Sequence, residues 1–323
     1  MVAAMIATAP GKLILTGEYA VLEGAPALVV AVNRRVVAHL QPQPAPEPSP
    51  FLRAVAAELA TRRGPDDRAA RAALGITVDS TAFYGGVTKL GLGSSAAVTV
   101  AATALALGVA RGDEISPLDL DEVQAIALAA HASAQGARGA RGSGADVAAA
   151  VHGGVIVFSA RQVEPRAWPA EARLVPFFTG RAADTATLVA QVAAARAARP
   201  REVEAALTSI ADASRAACAA LSSPAAAELV DAIERAGAAV DRLAAAARIE
   251  LVPECVRAAR EALRSLGGTA KTTGAGGGDV GIAMIPGTAD ASEVTRRLIE
   301  AGCAPLRDLG VETGGVDLRP IAS

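Results

Sequence analysis

The stretch Lys89-Leu90-Gly91-Leu92-Gly93-Ser94-Ser95-Ala96-Ala97-Val98-Thr99-Val100, which runs on without a charge to residue 110, joins a glycine and serine loop to a helix suited to burial. Gly91 and Gly93 let the backbone turn tightly and approach a ligand. Ser94 and Ser95 can cap the helix and offer hydroxyls, and the free N–H groups of a first helical turn favour an anion. A serine-capped core helix after a plain turn has the same local pattern. Two common nucleotide fingerprints are absent: Ala96 stands where the third glycine of G-x-G-x-x-G would fall, and no lysine follows the loop as in G-x-x-x-x-G-K-[ST]. The apolar run left after the loop is nearer a buried core helix than a membrane span of ~20 apolar residues.

Upstream, residues 11–18 read as a strand carrying Lys12 among apolar neighbours, followed by a turn at Glu23-Gly24, an apolar run over 27–32 and a return through Arg35 to Leu40. This predicts an early antiparallel meander. Buried in such a strand, Lys12 needs an anion; the alternative is an edge lysine whose ammonium reaches water. Prolines at 42, 44, 46, 48 and 50 predict an exposed extended loop, and residues 51–63 have helical spacing.

Downstream there are two more glycine-rich junctions. Residues 135–144 hold five Gly or Ser together with Arg138 and Arg141, then lead into Ala145-Asp146-Val147-Ala148-Ala149-Ala150. Asp146 in this first turn is either a functional carboxylate or a helix cap. The other junction is Lys271-Thr272-Thr273-Gly274-Ala275-Gly276-Gly277-Gly278-Asp279, before a strand over 280–285. Four glycines in five positions imply a backbone conformation open only to glycine, or close approach to a ligand. Lys271 reads as a strand-end lysine.

The chain has 323 residues, is 52% hydrophobic and has a formal net charge of −2. That length allows two cored domains, divided around residues 165–169, with residues 184–266 mostly Ala-rich helix. Near-balanced charge gives no sign of a nucleic-acid or anionic-membrane face. Cys218, Cys255 and Cys303 form no CxxC pair and no even set, and the first residues lack a positive n-region, so a cytoplasmic protein with reduced thiols is expected. No G-x-S-x-G elbow occurs, and His39, His131 and His152 form no zinc or triad pattern.

Taken together, Ala9-Pro10-Gly11-Lys12 with Gly17-Glu18-Tyr19-Ala20-Val21-Leu22, the Gly91 to Ala97 loop, and Gly274-Ala275-Gly276-Gly277-Gly278-Asp279 resemble, in order and spacing, the three motifs of the GHMP small-molecule kinases. Residues 130–136 with 142–150 resemble the phosphomevalonate-phosphorylating branch, and mevalonate kinase or another GHMP small-molecule kinase remains the alternative. The resemblance implies an α/β (α+β) fold with an N-terminal ribosomal-protein-S5-like domain over 1–168 and a C-terminal ferredoxin-like domain over 169–323. It implies ATP and Mg²⁺, with phosphomevalonate as the small-molecule partner, no nucleic acid or membrane, and a monomer or homodimer. By the same resemblance, Lys12 and Asp146 are catalytic. Lys89, Gly91, Leu92, Gly93, Ser94, Ser95, Ala96, Gly274, Gly276 and Gly277 hold the nucleotide, with Ser95 also on the metal. Glu18, Tyr19, Gln135, Arg138, Arg141, Ser143 and Gly144 lie at the substrate.

Overall fold

The structure, a computed structural model, describes residues 5–40, 47–112, 117–137, 139, 142–223 and 225–320. Arg138, Arg141 and prolines 42, 44 and 46 lie outside the described residues.

The chain opens with β1 (Met5–Thr16) and β2 (Ala27–Leu40), then α1 (Pro50–Arg63), α2 (Arg68–Leu74) and β3 (Ile76–Asp79). A short hairpin of β4 (Tyr84–Gly85) and β5 (Thr88–Lys89) leads to α3 (Ser94–Arg111), α4 (Leu120–Gly136) and α5 (Ala145–His152), then β6 (Val155–Ser159) and β7 (Gln162–Arg166). The next part comprises β8 (Ala172–Phe178), α6 (Thr185–Ala198), α7 (Pro200–Ala220), α8 (Ala226–Ala247), α9 (Glu254–Leu263), β9 (Thr269–Thr272), β10 (Val280–Pro286), α10 (Ala291–Glu300), β11 (Ala304–Pro305) and β12 (Asp317–Pro320).

The first sheet has the order β12-β1-β2-β6-β7, with β3 also on β2; the second has the order β11-β8-β10-β9. All described strand pairs are antiparallel. In the second sheet, strand, helices, two strands, helix and strand follow in sequence, and the strands lie in the spatial order four-one-three-two, the ferredoxin-like arrangement. The chain changes sheets between Arg166 and Ala172, but β12 returns to the first sheet and pairs with Met5–Thr8 of β1. Residues 317–320 therefore pack with the N-terminal half.

Two expectations change here. The sequence predicts a meander that turns back near Arg35, whereas β2 is one strand with a bulge: pairing steps from Pro10 opposite Arg35 to Gly11 opposite Val32. The bulge holds the returning C-terminal segment. Asn33 donates to the Asp308 carbonyl at 2.9 Å and accepts from Gly310 N–H, and Arg35 donates to the Gly314 and Gly315 carbonyls. Pro50, expected in the extended loop, opens α1, where its missing N–H costs nothing; Ser49 caps that helix.

Helix α3 is the hub of the N-terminal half. It packs on β1, β2, α1, α2, α4 and α5, and is long and apolar enough to cross a membrane by composition, yet 78% of that window is buried inside the fold. Ala97, Ala101, Ala104 and Ala106 are wholly buried. Alanine at these positions lets neighbouring backbones close in with little side-chain entropy lost. A second apolar core lies between the second sheet and α6 to α10.

On α3, Gly108 faces Leu318 of β12, and a Cβ there would collide with the leucine side chain. Gly108→Val is expected to lower stability by about 1–3 kcal/mol and to speed amide hydrogen exchange at residues 5–8, which pair with β12. Unchanged protection at those amides would mean that β12 does not depend on this contact.

Candidate active site

The glycine loop and β1 are joined through backbone. Lys12 N–H donates to the Leu92 carbonyl at 2.9 Å, and Lys12 Nζ donates to the Gly91 carbonyl at 3.2 Å. Gly93 has a left-handed φ of 77° and is the N-cap of α3, without a side-chain capping bond. Ser94 and Ser95 thus lie inside the first turn and do not cap the helix, contrary to the expectation from sequence. A Cβ on Gly93 would stand 3.0 Å from Lys12 Cε and 3.7 Å from Asp146 Cβ. The loop therefore brings Lys12 and Asp146, 134 residues apart in sequence (146 minus 12), to one place at a helix N-terminus. Burial holds the Lys12 ammonium below its ordinary pKa, against the opposing pull of Asp146 and Asp279.

Around this point the other expected residues divide. Ser95 is half-buried, and its hydroxyl lies 3.1 Å from His131 Nε2, which in turn lies 3.4 Å from Gln135 Nε2. His131 is buried and stacked on Phe51. Its partner Ser95 lies 36 residues away in sequence. Leu92 and Ala96 bury their side chains in the core, leaving only backbone for a ligand. Ser143 Oγ accepts from Ala145 N–H, and Gly144 packs against Leu128 of α4; both shape the start of α5. Asp146 Oδ1 accepts from Val147 N–H at 3.0 Å, a local bond, and Oδ2 has no hydrogen-bond partner among the described residues.

Glu18 and Tyr19, expected at the substrate, tie the two sheets together. Lys271 is fully buried and donates to Glu18, to the Leu15 carbonyl at 2.8 Å and to the Thr272 carbonyl at 2.6 Å. It is therefore an interior cation, not a strand-end lysine. Burial raises the Glu18 pKa and lowers that of Lys271, and each partner opposes the shift of the other. Glu18 Oε2 has no hydrogen-bond partner among the described residues. Tyr19, at a left-handed φ of 58°, donates its hydroxyl to the Ala275 carbonyl at 2.6 Å.

The third loop owes most of its glycines to its own chain. A Cβ on Gly276 would meet the Leu251 carbonyl, one on Gly277 the Leu188 side chain at 2.8 Å, and one on Gly278 the Arg181 carbonyl at 2.8 Å. Only Gly274, with a φ of 59°, faces open space among these four. The loop ends at Asp279, whose carboxylate lies against Gly91; a Cβ there would stand 2.6 Å from Asp279 Cγ. The first and third glycine loops thus face each other across the two halves. Among the described residues, no three His, Cys, Asp or Glu side chains cluster as a metal cage.

The family model described as "GHMP kinases N terminal domain" matches residues 50–154, and "GHMP kinases C terminal" matches residues 239–303. The chain belongs to the GHMP kinases. This GHMP kinase is 29% identical over 367 aligned residues to the phosphomevalonate kinase of Streptomyces sp. (strain CL190), covering 92% of the chain and 95% of the relative. Its fold is similar to that of a Lin0012 protein from Listeria innocua, with a TM-score of 0.81, 22% identity, and 98% and 99% of the two chains covered. Streptococcus pneumoniae phosphomevalonate kinase in complex with phosphomevalonate and AMPPNP has a TM-score of 0.75, with 19% identity and the same coverage.

The buried pair predicts a specific stability pattern for this kinase. Lys271→Met strands the Glu18 carboxylate and two carbonyls and should cost about 3–5 kcal/mol. Replacing both charges, Glu18→Leu with Lys271→Met, should cost clearly less than the two single changes added together. Urea unfolding of the three variants measures this, and strict additivity would mean that the two charges are not coupled.

Proposed function

We propose that this GHMP kinase transfers the γ-phosphoryl group of ATP to 5-phosphomevalonate, giving 5-diphosphomevalonate and ADP. The observation that carries the reaction type is the meeting of Lys12 and Asp146 over Gly93 at the N-terminus of α3. The near full-length likeness to a curated phosphomevalonate kinase supports the acceptor.

Phosphoryl transfer depends on positioning and charge stabilisation more than on covalent chemistry. The N–H groups of Ser94, Ser95 and Ala96 open a helix with no side-chain cap, so they and the dipole are free to face phosphate. Lys12 is anchored by the Gly91 carbonyl and neutralises charge gathering on the transferred group; Lys89, at the loop entrance, adds a second cation. Gly274 offers open backbone on the opposite side, while Gly276 and Gly277 hold that loop in shape. A divalent cation bound with the nucleotide would supply further charge neutralisation. The Ser95 hydroxyl is a hard oxygen donor that fits Mg²⁺ and would help to hold it.

The acceptor sets what Asp146 must do. An alcohol must lose its proton during attack, whereas a phosphomonoester with a second pKa of about 6 is already largely anionic at neutral pH. For a phosphate acceptor Asp146 orients Lys12, and the harder problem is repulsion between two phosphates. Arg138 and Arg141, outside the described residues, supply cations in the sequence just before Asp146. Gln135, Ser143 and Gly144 border the same acceptor side, at the end of α4 and the start of α5.

A coupled ADP-release assay offering mevalonate and 5-phosphomevalonate in parallel tests the acceptor. Turnover of 5-phosphomevalonate is expected, and turnover of mevalonate alone would replace this reading with a mevalonate kinase. In the same assay, Lys12→Ala and Asp146→Ala should each lower kcat by ~100-fold or more with little change in melting temperature. A lower melting temperature with near-normal turnover would make Asp146 a helix-stabilising residue only.

A further inference from the structure

Asp279 is an acid where the proposed reaction needs room for polyphosphate. It follows the glycines of the third loop and takes a left-handed φ of 55°, which only a few non-glycine residues tolerate. Three of its four polar atoms are committed to its own half of the protein. Its N–H donates to the Arg181 carbonyl at 2.7 Å, its carbonyl accepts from Thr179 N–H and Oγ1, and Oδ1 accepts from Ala183 N–H at 3.1 Å. The remaining atom, Oδ2, is turned across the interface onto Gly91 of the first loop and is the atom nearest to where a Gly91 Cβ would stand. Burial raises the Asp279 pKa, while the Ala183 N–H, Lys12 and Lys89 pull it down.

A carboxylate fixed beside a phosphate loop works against an anionic ligand. The Coulomb penalty is largest for a bare nucleotide and falls when a divalent cation travels with the phosphates. Such a residue would be disfavoured in a site that only had to bind phosphate tightly. It is useful in a site that must bind the cation complex and reject the metal-free form.

We propose that Asp279 makes the phosphate loop selective for the cation-bound nucleotide, by placing a fixed negative charge on Gly91 that repels metal-free ATP and is offset when a divalent cation accompanies the phosphates. This rests on the kinase reading given above. It assigns Asp279 to specificity, separate from the work of Lys12 and Asp146 on the transferred group.

The test is nucleotide affinity, with no acceptor present. Asp279→Asn keeps an Oδ1 to accept from Ala183 and tolerates a left-handed φ; Asp279→Gly removes the side chain and also tolerates that φ. Each protein, checked by thermal melting, is titrated calorimetrically with ATP at matched ionic strength, once with EDTA and once with saturating Mg²⁺. In both variants metal-free ATP should bind roughly tenfold tighter than to the unaltered protein, narrowing the ratio of the two dissociation constants by a similar factor. An unchanged ratio overturns the proposal. So does a ratio narrowed by weaker binding of Mg·ATP alone, which would make Asp279 a metal ligand instead. If the unaltered protein binds no ATP even with Mg²⁺, the kinase reading falls and this inference with it; if it binds and the ratio does not move, only this inference falls.

Discussion

The buried ion pair between Glu18 and Lys271 is the contact on which the site's architecture depends. Glu18 follows β1, the strand that carries Lys12, and Lys271 lies on β9, the strand that leads into the third glycine loop. Lys271 also donates to the carbonyl of Leu15 on β1, so this single ammonium fixes the two sheets at the level where both loops emerge. Tyr19 adds a hydroxyl bond to Ala275 next to it, and Thr16 meets Ser214 of α7 at 2.8 Å. A pair buried this deeply gains little net stability over an apolar substitute, because desolvating two ions costs about as much as their attraction returns. What it does supply is register: a charge with fixed hydrogen bonds accepts one alignment, where an apolar contact would accept several.

That alignment matters because the phosphate loop belongs to one half of the molecule and Asp279 to the other. Within the N-terminal half, the loop's position follows from close packing. Gly11 has no room for a Cβ between the Leu92 carbonyl and Phe83, so β1 and the loop can approach closely enough for Lys12 N–H to reach Leu92. Helix α3 is pinned behind the loop by its alanines, and its uncapped N-terminus cannot shift without disturbing β1, β2 and α5 together. The Ala-rich composition is thus part of how the site stays placed: small side chains give short distances between backbones and few alternative rotamers.

Much of this was legible in the sequence, for identifiable reasons. The Gly91 to Ser95 loop, the strand bearing Lys12 and the first turn bearing Asp146 are local patterns, and their order along the chain carries the family resemblance. What the sequence leaves unread is which residues meet partners far away along the chain. Glu18 sits in a motif expected at the site, and its ion-pair partner lies 253 residues away. Lys271 looked peripheral for the same reason. The tie of His131 to Ser95 appears only on folding, and of the two readings open for the glycines, a backbone conformation that favours glycine is seen at Gly276 and Gly277, which pack on Leu251 and Leu188. The return of β12 has no signal in residues 317–320; it is set by the β2 bulge, where Asn33 and Arg35 bind the segment that leads back.

The charge arrangement links these points to chemistry. Near the loop the described residues supply two ammonium groups, Lys12 and Lys89, and two carboxylates, Asp146 and Asp279, which feel one another across the site. Among the described residues these charges balance and leave no large positive surplus for phosphate. Tight binding must then come from directional donors, the N–H groups at the start of α3, and from cations that arrive with the ligand or sit on the segment before Asp146. In the proposed reaction this is an advantage. A strongly positive pocket would hold substrates and the diphosphate product with similar strength and slow release, whereas a balanced pocket reserves its stabilisation for the moment when charge gathers on the transferring group between Lys12 and the helix N-terminus.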